Sequence, residues 1–526
     1  MDVVFAILPK IEADAPTIGA PLLKTHLAEE GYKSVVLDFN IQLYRELKLK
    51  GTEFEYYNHY EREYEKRYFR DVIEVKYNYL FEKWVDDIIS LNPKFVGLSL
   101  LTEFSNRYAY KISSMIRKRA PHLKIIWGGA ALVKNLGNDA FKHNLVDYFV
   151  MGDGENNIIN ILKGIKAPGI NNREDGLAWN FTTTQIDNLD TVMTPDYSDI
   201  DWSLYEGRVD DIAFEFRDTV YVTGSRGCVK NCTFCNVREI WPNYRFRSAA
   251  SIAKEIRELV IKHNRRNIKF TDSLINGSMK EFRILLKELI ELRKDYPDLN
   301  WDSQWILRSE SQSPESDYEM LALSGCRRLE VGLESFSEPV RYHMGKKFKD
   351  NEMWFCFEML KKYKIKGWVM MIVGYPTETE EDHQRTLDCI KHFYKKGYDE
   401  VAFLSFGNAL NMQKGDGTYN IIKDDIVYYK SSHNWRYKDN DPAVRLRRVK
   451  EVNNLIAQLS NEPIRSHGAL GTIMTLEEIV KQEGLPVYEV QVPVLATPTG
   501  IEPVISGVTG QHLNHSTKEP LVIQLS

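Results

Sequence analysis

Cysteine is scarce in this sequence, with six residues in 526. So few thiols in so long a chain do not make a disulfide scaffold. Long apolar runs are missing as well: none approaches the ~20 residues that a membrane-spanning helix needs. The first residues, Met1-Asp-Val-Val-Phe-Ala-Ile-Leu-Pro9, form a strand-like run without the basic leader of a signal peptide. The expectation is a cytoplasmic protein. Neither sign of charge dominates. With 69 Lys and Arg against 74 Asp and Glu the net charge is -5, which gives no electrostatic ground for binding nucleic acid or an acidic membrane. One local basic run, Arg445-Leu-Arg-Arg-Val-Lys450, has the spacing of the solvated face of a helix. What remains is an ordinary globular composition, 43% hydrophobic and 27% charged, in a chain long enough for about two to four domains.

Half of the few cysteines stand together. Cys228, Cys232 and Cys235 fall within eight residues of one loop, Gly224-Ser-Arg-Gly-Cys-Val-Lys-Asn-Cys-Thr-Phe-Cys-Asn236, spaced three residues and then two. Three thiols so close together read as metal ligands. A structural zinc site closes its tetrahedron with a fourth Cys or His at short spacing, but the nearest downstream histidine is His263, beyond an expected helix. The fourth corner is left to something else. Cys326, Cys356 and Cys389 stand singly in apolar or helical surroundings and read as buried, inert thiols.

Hydrophobic periodicity divides the chain. Short β-rich runs at Val3 to Leu8, Ser34 to Leu37, Lys94 to Leu100, Leu123 to Trp127 and Val146 to Met151 alternate with helical patterns. That alternation predicts an open, doubly wound, Rossmann-like parallel sheet over residues 1–165. It is interrupted over 41–92 by a charged, aromatic helical insertion with Tyr56, Tyr60, Tyr64 and Tyr68 at intervals of four and Tyr57 beside them. Such a stripe packs against a neighbour more often than it lines a cavity. Ligands of open parallel sheets bind at the carboxyl ends of the strands. Ser99, Thr102, Gly128, Gly129, Gly152 and Gly154 fall there. Residues 166–217 read as a linker with some short strands, such as Gly176 to Asn180. Six further strand-helix units over 218–410 predict a partial parallel barrel, with the cysteine loop after its first strand and therefore at its mouth. Asp272, Glu334 with Ser335, and Tyr375 lie at the ends of later strands. Residues 411–526 form a mixed α+β C-terminal region, with helices expected over Asp441 to Leu459 and Thr475 to Gln482 and a β-prone tail from Pro486.

The Cys-x-x-x-Cys-x-x-Cys loop after the first of six strand-helix units, with Phe234-Cys235 at its end and Arg226-Gly227 before it, resembles the radical S-adenosylmethionine (SAM) superfamily. The resemblance implies that Cys228, Cys232 and Cys235 hold three irons of a 4Fe-4S cluster, a usual thiolate-bound group. The open iron would chelate SAM, whose reductive cleavage gives a 5′-deoxyadenosyl radical. It also implies that Phe234 meets the adenine and that Asp272 faces the methionine amino group, although the glycines usual near that position are absent. Glu334 and Ser335 resemble ribose and carboxylate contacts, and Gly374 lies in the segment, Val373-Gly-Tyr-Pro-Thr-Glu378, that resembles the adenine strand. The first domain, with Val96-Gly-Leu-Ser99, Ile126-Trp-Gly-Gly129 and the run ending Gly152-Asp-Gly-Glu155, is similar to the cobalamin-binding class of the same superfamily. The Asp-x-His-x-x-Gly motif of many cobalamin proteins is absent, and His26 sits inside an expected helix.

The reading that follows is a cobalamin-dependent radical SAM C-methyltransferase. It would act on a small-molecule or natural-product-like substrate and draw electrons from an external reductant such as a flavodoxin or ferredoxin. Two others stand beside it: a radical SAM enzyme without bound cobalamin that runs a cyclisation or rearrangement, and a non-catalytic iron-sulfur or zinc protein.

Overall fold

Short apolar runs with buried side chains build the first sheet of the computed structural model. β1 (Val3–Ile7), β2 (Ser34–Asp38), β3 (Phe95–Ser99), β4 (Lys124–Gly128) and β5 (Tyr148–Val150) lie parallel in the order β2-β1-β3-β4-β5. The chain steps from β1 outward to β2 and then back past β1 to β3, so the topological switch point lies between β1 and β3. β6 (Ile170–Asn172), from the stretch read as linker, adds an antiparallel edge to β5. The structure describes residues 1–488 except 53–55, 58–61, 133, 176–182, 206–217, 408–416, 430–433, 461–475, 478, 482 and 487. The strand expected over Gly176 to Asn180, Tyr60, the side chain of Tyr64 and nearly all of the tail from Pro486 therefore lie outside the described residues. Of the helix expected from Thr475 to Gln482, Leu476, Glu477 and Ile479 to Lys481 are helical.

The tyrosines of the insertion pack inward. Tyr56 and Tyr57 are buried in the core that also holds Tyr108. Tyr56 shares a hydroxyl hydrogen bond with Tyr108 at 2.8 Å, Tyr57 donates to the Asn40 carbonyl at 3.0 Å, and Tyr68 stacks on Tyr56. They close the core between the insertion and the Ser105–Arg119 helix of the sheet domain.

The second sheet is laid down in sequence order. β7 (Thr219–Val222) is followed by the two-residue strands β8 (Ser225–Arg226) and β9 (Arg245–Phe246). Then come β10 (Asn267–Phe270), β11 (Asn300–Trp305), β12 (Cys326–Glu334), β13 (Lys366–Ile372) and β14 (Ala402–Gly407). β7 and β10 to β14 are all parallel, in the order β7-β10-β11-β12-β13-β14, with a helix after each of the strands from β10 to β13. Period-two alternation gives this sheet two different faces. Leu329, Val331 and Leu333 of β12 enter the core under the helices, while Arg328, Glu330 and Glu334 take the opposite face. β8 and β9 pair antiparallel, Ser225 with Phe246 and Arg226 with Arg245, and so close the base of the cysteine loop.

Beyond the barrel, β15 (Ile426–Tyr428) pairs antiparallel with β16 (Trp435–Tyr437), and the helix Pro442–Ser460 packs on the barrel helix Glu380–Lys395. This corrects the solvated-face reading of its basic run. Arg445 and Arg448 are each 3% exposed. Arg445 lies 3.9 Å from the Trp435 ring centre and donates to the Trp435 carbonyl at 3.0 Å. Arg448 donates to the Glu378 carbonyl and to the Glu380 carboxylate. Burial pulls the Arg445 pKa down to about 9. Charge spacing along the chain cannot reveal partners supplied by other elements. Among the described residues no helix is long and apolar enough to cross a membrane.

Candidate active site

The cysteine loop leaves β7 at Gly224, where it is pinned from β10. Asp272 is buried, and its carboxylate accepts from the Gly224 amide at 2.8 Å and from the Ser225 hydroxyl. Burial pushes the Asp272 pKa up to about 7, against the lowering effect of those two donors. A carboxyl whose folded pKa lies above its unfolded value costs stability as pH rises from the unfolded towards the folded value. Asp272→Asn should therefore remove a loss of about 4 kcal/mol between about pH 4 and 7. Urea unfolding of variant and parent across that range checks this. Equal slopes would mean that Asp272 ionises freely in the folded protein.

Cys228, Cys232 and Cys235 are free thiols, the first two half-buried and the third exposed. Burial pushes Cys232 up to about 11 and raises Cys235, while both Cys228 and Cys235 act electrostatically on Cys232. The three thiols thus lie within electrostatic reach of one another, and ligation of a metal there would release protons. The donor set, soft thiols on one loop, fits an iron-sulfur cluster. Among the described residues no three His, Cys, Asp or Glu side chains converge as the ligands of a single ion. His263 is no fourth ligand, for its ring packs against Tyr197 and Trp202.

Phe234 packs with Val340, Met344 and Tyr375 beside the loop. Glu334 ends β12 with φ of 67°, a left-handed conformation uncommon outside glycine, and its carboxylate meets the Lys346 ammonium at 2.8 Å. Lys346 also lies 5.9 Å from the Phe234 ring centre and acts on the Cys232 thiol. Lys346 escaped the sequence reading because a lysine in a turn carries no pattern. Ser335 is buried and accepts from the Ser337 amide at 3.1 Å. Gly374 has φ of 78°, and a Cβ there would sit 2.6 Å from the Arg445 side chain, so packing from the C-terminal helix requires its glycine. The structure therefore gathers Phe234, Glu334 and the three cysteines near one another. Asp272, Ser335 and Gly374 are engaged by neighbouring chain.

The carboxyl edge of the first sheet faces this loop across a cavity of about 650 Å³, within the range of cofactor sites, roughly 300–1,000 Å³. Ser99, Thr102, Gly128, Gly129, Gly152 and Gly154 line one wall, and Thr223, Ser225, Arg226, Gly227 and Thr271 line the other. The glycines differ in purpose. A Cβ on Gly129 would meet the Leu100 carbonyl at 2.2 Å, and one on Gly152 would meet that of Thr184 at 2.3 Å, so the backbone demands both. A Cβ on Gly128 meets nothing within 4 Å, which leaves that wall open to a ligand.

A knot of buried charge joins the two walls. Asp153 accepts from Arg245 and pairs with Arg226 at 2.8 Å, and it also accepts from the Trp241 ring nitrogen at 3.1 Å and the Ile186 amide at 2.7 Å. Glu155 holds the other arm of Arg226. The sequence displayed both halves, Gly152-Asp-Gly-Glu155 and Arg226-Gly227, but not their pairing.

Comparison with known proteins accords with this geometry. Residues 222–390 match the model of the Radical SAM superfamily. The chain is 22% identical over 341 residues to the anaerobic magnesium-protoporphyrin IX monomethyl ester cyclase of Synechocystis, covering 62% of this chain and 64% of that protein. It is 31% identical over 197 residues to the tRNA-2-methylthio-N(6)-dimethylallyladenosine synthase of Aquifex aeolicus, covering 35% and 42%. The chain thus spans less than two thirds of the length of these relatives. Its fold is similar to that of TsrM, a radical SAM methyltransferase of Kitasatospora setae solved with cobalamin and a [4Fe-4S] cluster. There the TM-score is 0.57 at 16% identity over 81% of this chain and 75% of that one. It is also similar to that of OxsB, a cobalamin-dependent SAM radical enzyme, with a TM-score of 0.65 at 13% identity over 92% and 75%. The stretch that matches the radical SAM superfamily model, residues 222–390, begins at the last residue of β7 and takes in the cysteine loop.

Proposed function

We propose that this chain is a radical SAM enzyme, and specifically a cobalamin-dependent C-methyltransferase acting on a small-molecule substrate. The observation that carries the proposal is the cysteine loop: three free thiols that follow Gly227, in a loop whose base, Ser225 to Gly227, lines a cavity with the glycine-rich edge of the other parallel sheet on its far side. When bound, the cluster and cobalamin supply one-electron cleavage of SAM and a transferable methyl group. The chain's own residues orient and enclose these groups. Cys228, Cys232 and Cys235 are the cluster ligands. Lys346 and Glu334 set one cation and one anion beside the loop, which complements the carboxylate and ammonium of an amino-acid end. Phe234 offers an apolar face next to them. The backbone at Gly128 lets a flat macrocycle approach the end of β4. An external reductant, a flavodoxin or ferredoxin, supplies the electron.

Anaerobic reconstitution with iron and sulfide tests this. The expected result is a cluster absorbance, 5′-deoxyadenosine on adding SAM and reductant, and uptake of hydroxocobalamin that Gly128→Leu weakens by about tenfold or more without loss of fold. A cluster with no cobalamin uptake would remove the methyltransferase reading and leave the cyclisation or rearrangement reading. A protein that makes no deoxyadenosine would be an iron-sulfur or zinc protein without radical chemistry.

A further inference from the structure

Thr233 stands between Cys232 and Phe234, and every polar group it has is engaged from outside the loop. Its amide donates to the Met344 carbonyl at 3.1 Å, and its carbonyl accepts from the Thr418 amide at 2.8 Å. Its hydroxyl shares a hydrogen bond with the Tyr375 hydroxyl at 2.9 Å and lies 3.3 Å from that of Thr418. The C-terminal region reaches this point twice. Thr418 arrives directly, and Gly417 before it comes so close that a Cβ would sit 2.7 Å from the Thr233 carbonyl oxygen.

The second route is relayed. Asn440 is buried, and its side-chain amide donates to the carbonyls of Gly374, Tyr375 and Pro376 at 3.3, 2.8 and 3.3 Å. Three acceptors converging on one donor fix the turn that carries Tyr375, whose fully buried ring aims its hydroxyl at Thr233. The loop needs such a hold. The β8-β9 ladder ends at Arg226, before the first thiol, so that the ladder cannot by itself place Cys232 and Cys235.

We infer that the C-terminal region is the positioning frame of the cysteine loop, with Asn440 acting through Tyr375 and Thr418 acting directly on Thr233 to hold Cys232 and Cys235 in place. This rests on the reading of the loop as the cluster site and adds the elements that set its geometry. Asn440, Tyr375 and Thr233 are positioning residues.

The test compares parent, Tyr375→Phe, Asn440→Ala and the double variant, with Val427→Ala as a control in the same region. In the apo protein, alkylation of Cys232 and Cys235 by iodoacetamide, read by peptide mass spectrometry, should quicken in all three variants and not in the control. In the reconstituted protein the electron paramagnetic resonance change on adding SAM should be altered. The KM for SAM should rise roughly threefold to tenfold, the worth of one hydrogen bond. The double variant should be no worse than the worse single one, because the two residues act in series. Parental alkylation rates and an unchanged resonance response in Tyr375→Phe would overturn the inference, as would fully additive effects. If Asn440→Ala does not fold, Tyr375→Phe decides alone. A parent that takes up no iron overturns the cluster reading instead, and the alkylation rates still decide whether Asn440 and Tyr375 hold the loop.

Discussion

Cys232→Ala should abolish SAM cleavage while leaving the fold intact. Loss of a partner that merely orients a metal ligand lowers metal affinity or activity about 10–100-fold, and loss of a ligand itself should exceed that. Cys232 is half-buried, and its thiol pKa is raised to about 11 by burial, so it behaves as a small apolar side chain when no metal is bound. Alanine in its place costs little packing. The backbone bonds that seat the loop, Thr233 to Met344 and Cys235 to the Cys232 carbonyl, do not involve the side chain. Iron content, visible absorbance and deoxyadenosine formation should fall together, and the melting temperature of the apo protein should stay put. Retained cleavage would mean that the site lies elsewhere in the chain.

Asp153→Ala should be the most destabilising single change considered, by about 3–5 kcal/mol, because it leaves two buried guanidiniums with reduced counter-charge. Arg226 and Arg245 have side chains 12% and 7% exposed, and Asp153 is 2% exposed. Water cannot replace what is lost. Burial alone raises the Asp153 pKa, but Arg226 and Arg245 outweigh it and hold the carboxyl below its usual range. A depressed folded pKa contributes stability above the unfolded value, near 3.9, and loses it as pH falls through the folded value. The gap between parent and variant should therefore be full at neutral pH and narrow only in acid, below about pH 4. Urea unfolding at several pH values measures both quantities. A loss under about 1 kcal/mol would place this pairing with ordinary surface ion pairs. Because Arg226 belongs to the cysteine loop's base and Asp153 to the edge of the first sheet, the proposed function adds the expectation that the variant takes up hydroxocobalamin less well.

Much of this was written locally. The strands β1 to β5 of the first sheet stand within a residue or two of where the apolar runs put them, because a buried parallel strand reads as a short, nearly continuous run of apolar residues. The cysteine spacing pointed to the loop for a similar reason: a group held by neighbouring residues of one segment leaves its signature in that segment. The glycines at strand ends were visible, but not their reasons. Gly129 and Gly152 answer to backbone oxygens from other loops, Gly374 to Arg445, and Gly128 to open space.

The sequence by itself determined the two alternating sheets and the place of the cysteine loop at the end of β7. Only the tertiary structure decided that Arg226 meets Asp153 and Glu155, that Lys346 meets Glu334, that Arg445 and Arg448 are buried, and that Asn440 and Thr418 reach the cysteine loop. Each of these is a pairing between residues of different segments whose local context carries no period and no turn rule. The partner comes from another element, and burial, which makes the pairing matter, exists only once the chain has folded.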